Sequence, residues 1–140
     1  MNMKELADRF ALRELVDTLS ILGDKKDVHA QVQLFTDDGI SETFIEGTPI
    51  LKLNGRKEME SAFTNFLKDF DTIYHFNGQQ KVTIDGDSAT GTCYCQITLI
   101  GAKVKTTIGA IYYDNYIFGN NQWLIAKRIG IFEWQEKQAF

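Results

Sequence analysis

Apolar side chains recur every three or four positions in the first seventy residues, a spacing that places them on one face of a helix. The pattern predicts a first helix over 4–22 that stops at Gly23. It also predicts a short second helix capped by Asp27, and a third helix after Asn54-Gly55. Between the second and third helices it predicts a turn and two short strands, at 36–39, 40–46 and 49–53.

After residue 72 the helical spacing gives way to long β-rich runs. They predict four strands, at 73–85, 88–100, 103–118 and 122–134. Asp85-Gly86-Asp87 and Gly119-Asn120-Asn121 are typical hairpin turns. Such short connections leave no room for crossover helices, so we expect an antiparallel sheet. Helices gathered on one side of that sheet give an α+β fold, which we expect to be a single domain over 1–140.

Charge and composition narrow the possible partners. The net charge is −4 and no basic run occurs, which argues against nucleic acid as a partner. No apolar run reaches the roughly 18 residues of a membrane span, and the charged first ten residues do not resemble a signal peptide. We therefore expect a cytoplasmic location and no membrane contact. Cys93 and Cys95 are too close in sequence to staple the fold and are predicted to be free thiols in a reducing compartment. No nearby His or Cys could complete a metal site with them.

Several segments, in a fixed order, carry a resemblance to a known family. They are 23–28 (GDKKDV), 34–39 (LFTDDG), 54–58 (NGRKE), 84–91 (IDGDSATG) and 121–128 (NQWLIAKR). Along nearly its whole length the chain resembles the SnoaL-like branch of the nuclear transport factor 2-like superfamily. The resemblance implies a cone-shaped α+β barrel, in which a curved antiparallel sheet wraps over three N-terminal helices. It also implies a cavity for an apolar small molecule at the open end.

The resemblance further implies a catalytic pair, Asp24 and His75. Asp24 follows the first helix and His75 lies near the start of the strand after the third helix, as in dehydratase-like members. A carboxylate that binds one imidazole nitrogen fixes the tautomer and makes the other nitrogen a better base. Taken alone, Asp24 is more typical of a turn, and His75 is also compatible with a core histidine bonded to a backbone carbonyl.

Three further residues are candidates for substrate binding. Asn77 and Gln79 share a face with His75 in a regular strand, unless Gly78 marks a bulge that shifts the register by one. Arg128 has apolar neighbours on its face of the last strand. The resemblance implies that such an arginine binds a carboxylate or stabilises negative charge, and the alternative is a salt bridge to an acidic residue on a neighbouring strand.

The chain also departs from the pattern of dehydratase-like members. Leu19 stands where they often carry a tyrosine, and Gln79 stands where an asparagine is common. A phenol could come instead from one of five other positions, Tyr74, Tyr94, Tyr112, Tyr113 or Tyr116.

The resulting hypothesis is a lyase or isomerase that acts without a cofactor or metal on an apolar cyclic substrate. No phosphate-binding glycine loop suggests a nucleotide. The alternative is a non-catalytic ligand-binding or dimerisation module, a homodimer formed through the outer face of the sheet.

Overall fold

A computed structural model describes all 140 residues and confirms the predicted order of helices and strands. The elements are α1 (Met3–Asp24), α2 (Val28–Val32), β1 (Phe35–Ile45), β2 (Thr48–Asn54), α3 (Gly55–Leu67), β3 (Thr72–Asp85), β4 (Ser88–Gly101), β5 (Val104–Gly119) and β6 (Gln122–Ala139).

The six strands form one curved sheet in the order β2-β1-β6-β5-β4-β3. All neighbouring strands are antiparallel except β1 and β6, which run parallel. The parallel pair departs from the expected all-antiparallel sheet. It is possible because α3 and four strands intervene between β1 and β6, which gives the chain the length that a parallel connection needs.

The three helices cover the concave face of the sheet and share one hydrophobic core with it. Leu12, Val16 and Leu19 of α1 are 0–3% exposed, and α1 packs mainly against β3. Burial of each such side chain contributes roughly 1.5–3 kcal/mol. None of the helices is long and apolar enough to cross a membrane.

The first helix does not stop at Gly23 as predicted but continues to Asp24. The left-handed residue that follows it is Lys26, with φ of 59°. Gly23 serves close packing instead, because a Cβ there would lie 2.9 Å from Nε2 of Gln31 and 3.7 Å from Cε1 of His75. The predicted cap of α2 is confirmed, since the Asp27 side chain accepts a hydrogen bond from the Ala30 amide.

Two strand boundaries also differ from the prediction. Residues 36–39, predicted as a turn, lie inside β1 as an irregular stretch, where the pairing with β6 moves from Phe35↔Ile125 to Ile40↔Lys127. The last strand runs on to Ala139, five residues beyond Trp134. These final residues pair only with β5, because β1 ends opposite Phe132, and their free edge explains why four of the five are polar.

Candidate functional site

A cavity of about 400 Å³ lies between the curved sheet and the helices. Apolar side chains form most of its wall, including the aromatic rings of Phe63 and Phe66 of α3 and of Phe70 just after that helix. A few polar side chains interrupt this wall, among them His75 and Arg128. The volume and the apolar lining suit a small hydrophobic molecule that is oriented by a few hydrogen bonds.

The structure brings Asp24 and His75 into direct contact. Oδ1 of Asp24 lies 2.6 Å from Nδ1 of His75 and also accepts a hydrogen bond of 3.0 Å from the His75 backbone N–H. Because an ionised carboxylate can only accept hydrogen bonds, Nδ1 carries the ring proton. In the neutral imidazole Nε2 then keeps its lone pair; it has no partner in the protein and is not enclosed. The imidazole lines the cavity, with its side chain 17% exposed.

The position of this pair follows from the end of α1. Asp24 is the last residue of that helix, where the helix dipole disfavours a carboxylate. The two hydrogen bonds from His75 compensate for this, and they tie the helix to β3.

Arg128 forms the salt bridge that the sequence left open as an alternative. Its Nε and Nη2 donate to the two carboxylate oxygens of Asp114, over 2.8 and 3.1 Å. The hydroxyl of Tyr116 donates to the same carboxylate over 2.8 Å. Burial opposes the charge of Arg128, but Asp114 outweighs it and raises the pKa of Arg128 above its usual value. Arg128 therefore stays charged, and it also lines the cavity.

Asn77 and Gln79 do not line the cavity. Nδ2 of Asn77 donates to α1, over 3.0 Å to Oδ1 of Asp17. A bulge follows, because Asn77 pairs with Cys95 while Gln80 pairs with Cys93, which leaves one extra residue in β3. The bulge at Gly78 and Gln79 turns Gln79 to the exposed outer side and brings Gln80 inward instead, where it bonds to Leu12.

Tyr112 is a cavity residue that sequence reasoning could not single out among the tyrosines. Its ring lies under the guanidinium of Arg128, with 3.9 Å from the guanidinium carbon to the ring centre. Gly130 makes this position possible, since a Cβ there would lie 2.9 Å from Cε1 of Tyr112. Burial raises the pKa of Tyr112, and Arg128 only partly offsets this, so its phenol stays protonated. The one signal for this arrangement in the sequence is Gly130, two residues after Arg128, because a glycine on the inner face of a strand leaves space for a large neighbouring ring.

No group of three or more His, Cys, Asp or Glu side chains is gathered in the way that a metal site requires. Cys93 and Cys95 are buried free thiols, as predicted.

Comparison with known proteins agrees with this architecture. The family model of the SnoaL-like domain matches residues 4–129. An uncharacterized protein of Mycobacterium tuberculosis strain H37Rv is 22% identical over 133 residues, which are 92% of this chain and 88% of that protein.

Two solved structures are similar over their full length. A putative scytalone dehydratase from Novosphingobium aromaticivorans has a TM-score of 0.88 at 15% identity, covering 100% of this chain and 93% of the other. A hexachlorocyclohexane dehydrochlorinase, LinA type 3, from Novosphingobium barchaimii has a TM-score of 0.83 at 20% identity, covering 99% and 95%. At these identities the likeness establishes the fold, the nuclear transport factor 2-like cone that was expected.

Proposed function

The chain belongs to the SnoaL-like domain family, and on that premise we propose that it is a lyase or isomerase acting on an apolar cyclic molecule. The observation that carries this proposal is His75, whose Nδ1 is fixed by Asp24 while Nε2 is free at a largely apolar cavity. Two proteins of the same fold are named a dehydratase and a dehydrochlorinase, and both names describe eliminations.

In the proposed reaction Nε2 of His75 removes a proton from a substrate carbon. The carboxylate of Asp24 keeps the ring oriented and stabilises the imidazolium that forms. The electron pair left by the proton either expels a leaving group, which is elimination, or accepts a proton at another carbon, which is isomerisation. These steps use only side chains of this protein, so no cofactor is proposed. Arg128 is retained as a substrate contact, whereas Asn77 and Gln79 are assigned no role.

Hydrogen–deuterium exchange tests the proton transfer without knowledge of the natural substrate. A panel of cyclic ketones and hydroxysteroids in D₂O is followed by NMR, with and without enzyme. We expect His75→Ala to slow enzyme-dependent exchange by roughly 10²–10⁴-fold, and Asp24→Asn to slow it as well. His29→Ala is the matched control, because His29 is 77% exposed and pairs only with Glu60 at the surface.

Unchanged exchange in His75→Ala would remove His75 from the mechanism. If the wild type binds members of the panel but exchanges none of them, the non-catalytic ligand-binding alternative is the better account.

A second proposal concerns assembly and rests on the outer face of the sheet. Four aromatic side chains there, on the adjacent strands β3, β4 and β5, are between 42% and 64% exposed: Tyr74, Phe76, Tyr94 and Tyr113. A contiguous apolar patch on a sheet face is typical of an interface between proteins. We propose that this face joins two copies of the chain, which a mass measurement by light scattering tests directly.

A further inference from the structure

The cavity opens beside the last part of β6. Because β1 ends opposite Phe132, the residues that follow it in β6 have no strand on that side. Gln135 and Lys137 of this part of β6 line the cavity and are exposed. Three apolar side chains that also line the cavity are 45–51% exposed: Ile50, Leu51 and Phe66. We call this opening the mouth of the cavity.

Lys137 gives the mouth a positive charge. The other charged or basic side chains of the cavity wall each have a partner of opposite charge: Glu42 with Lys127, His75 with Asp24, and Arg128 with Asp114. Lys137 alone among them forms no such pair. The cavity wall therefore has a local excess of one positive charge at the mouth, although the whole chain carries −4.

A buried hydroxyl without a partner lies next to this lysine. Thr106 of β5 is the cross-strand partner of Lys137, lines the cavity and is only 8% exposed. Its hydroxyl forms no hydrogen bond with the protein, yet it is not enclosed, because the one enclosed side-chain atom without a partner is Oε1 of Gln31. Polar groups as buried as Thr106 normally have a partner. The hydroxyl therefore marks a hydrogen-bonding position for a molecule in the cavity.

We propose that Thr106, Gln135 and Lys137, the mouth site, bind a carboxylate. The substrate is then an amphiphile, an apolar ring system that carries an acidic side chain. The ammonium of Lys137 neutralises the carboxylate, and the Thr106 hydroxyl and the Gln135 amide donate hydrogen bonds to it. The ring system occupies the apolar part of the cavity. The inference rests on the proposed function, because it names the substrate class for the same cavity and keeps His75 as the base.

The strand register separates the mouth site from the base. A row of paired residues crosses the sheet from His75 through Ile97 and Ile108 to Gln135. It spans three strand spacings, from β3 to β6, which is roughly 14 Å along the sheet. The carboxylate therefore belongs on a side chain several carbons away from the carbon that loses its proton, and not on that carbon.

A matched pair of probes tests the mouth site. Naphthylbutyrate and its primary amide, naphthylbutyramide, have nearly the same shape and differ in charge. We expect the wild-type protein to bind the acid about fivefold more tightly than the amide at neutral pH, as a partly exposed ion pair gives. This preference should disappear as the ionic strength rises from about 0.01 M to about 1 M, because salt screens the pair.

Three variants locate the preference. Lys137→Met keeps most of the length of the side chain but removes its charge, and it should bind the acid and the amide equally. Thr106→Val keeps the shape and removes the hydroxyl, and it should weaken binding of the acid severalfold. Lys105→Met is the matched control, because Lys105 precedes Thr106 and points to the opposite side of β5. It should keep the preference of the wild type.

Calorimetry or ligand-observed NMR gives the dissociation constants, and circular dichroism confirms that each variant is folded. Equal binding of the acid and the amide by the wild type overturns the proposal, as does an unchanged preference in Lys137→Met. A preference that is lost equally in Lys105→Met overturns it too, because the overall charge of the protein would then explain the result.

The outcome is separable from that of the proposed function, since binding is measured without turnover. If Lys137→Met loses the preference for the acid while His75→Ala exchanges deuterium normally, the mouth site stands and the base falls. If the preference is unaffected in Lys137→Met but His75→Ala is inactive, the base stands and the mouth site falls.

Discussion

Replacement of Asp114 by Asn should destabilise the protein more than any surface charge change. The side chain of Asp114 is fully buried and accepts hydrogen bonds from Nε and Nη2 of Arg128 and from the hydroxyl of Tyr116. Asparagine keeps the shape but removes the charge. Its NH₂ group would also face one of these donors, so Arg128 would lose both its counterion and a hydrogen bond.

The expected cost follows from the burial of the pair. Breaking a buried ion pair by removing one partner costs about 3–5 kcal/mol. Because Nη1 of Arg128 is open to the cavity, we take the lower end, about 3 kcal/mol. Domains of this size are stable by roughly 5–15 kcal/mol, so the loss is a large share of the total. With a urea m-value of about 2 kcal/mol/M, the unfolding midpoint should fall by about 1.5 M.

Urea unfolding followed by tryptophan fluorescence measures this shift. Asp37→Asn is the control, because Asp37 also pairs with an arginine, Arg56, but is 91% exposed, and such pairs contribute only about 0–1 kcal/mol. A midpoint for Asp114→Asn no lower than that of the control would refute the reasoning. The double variant Asp114→Leu with Arg128→Met should recover stability relative to Asp114→Asn, since it leaves no buried charge unpaired.

Two further predictions concern acid stability and assembly. Hydrogen bonds from Lys4 and Trp123 lower the pKa of Asp8 below 3.8, although burial opposes them. The stability that this lowered pKa provides is present above the pKa of Asp8 in the unfolded chain. It is lost as the pH falls through the lower pKa of Asp8 in the folded protein. The stability gap between wild type and Asp8→Asn should therefore be constant above about pH 5 and narrow as the pH falls below it in urea titrations, and a gap that stays constant down to about pH 3 would contradict this. In light scattering, Phe76→Ser together with Tyr94→Ser should convert the proposed dimer to monomer, and an unchanged mass would exclude this face.

Elements that are defined by local pattern were predicted well from the sequence. The amphipathic spacing located both ends of α1 and the start of α3 within two residues, and Gly86, the first residue of its turn, has the positive φ of 61° that glycine allows there. The sequence did not predict the end of β6, because its last residues are mostly polar and lack an apolar strand pattern. They are polar because they lie at a free edge of the sheet, with β5 on one side only. A strand's neighbours are set by the whole sheet and cannot be read from its own residues.

The candidate site shows the same division. The resemblance pointed to Asp24 and His75, but their contact depends on where the end of α1 meets β3, which spacing along the chain does not determine. The face assigned to Gln79 was reversed by the bulge at Gly78, although the glycine gave warning of it. The partner of Arg128 depends on the register between β5 and β6, which no local pattern specifies.

The parallel pairing of β1 with β6 has a consequence for how the chain is made. Ser41 and Arg128 are direct partners, yet almost the whole of the remaining sheet is encoded between them. Contacts of such sequence separation form late, because a long loop must close before they contribute any stability. On the ribosome, β1 can pair with β2 soon after both emerge, but its other edge stays unpaired until β6 is released. The part of the cavity wall where β1 meets β6, around Ser41 and Arg128, is therefore the last part of the nascent protein to assemble.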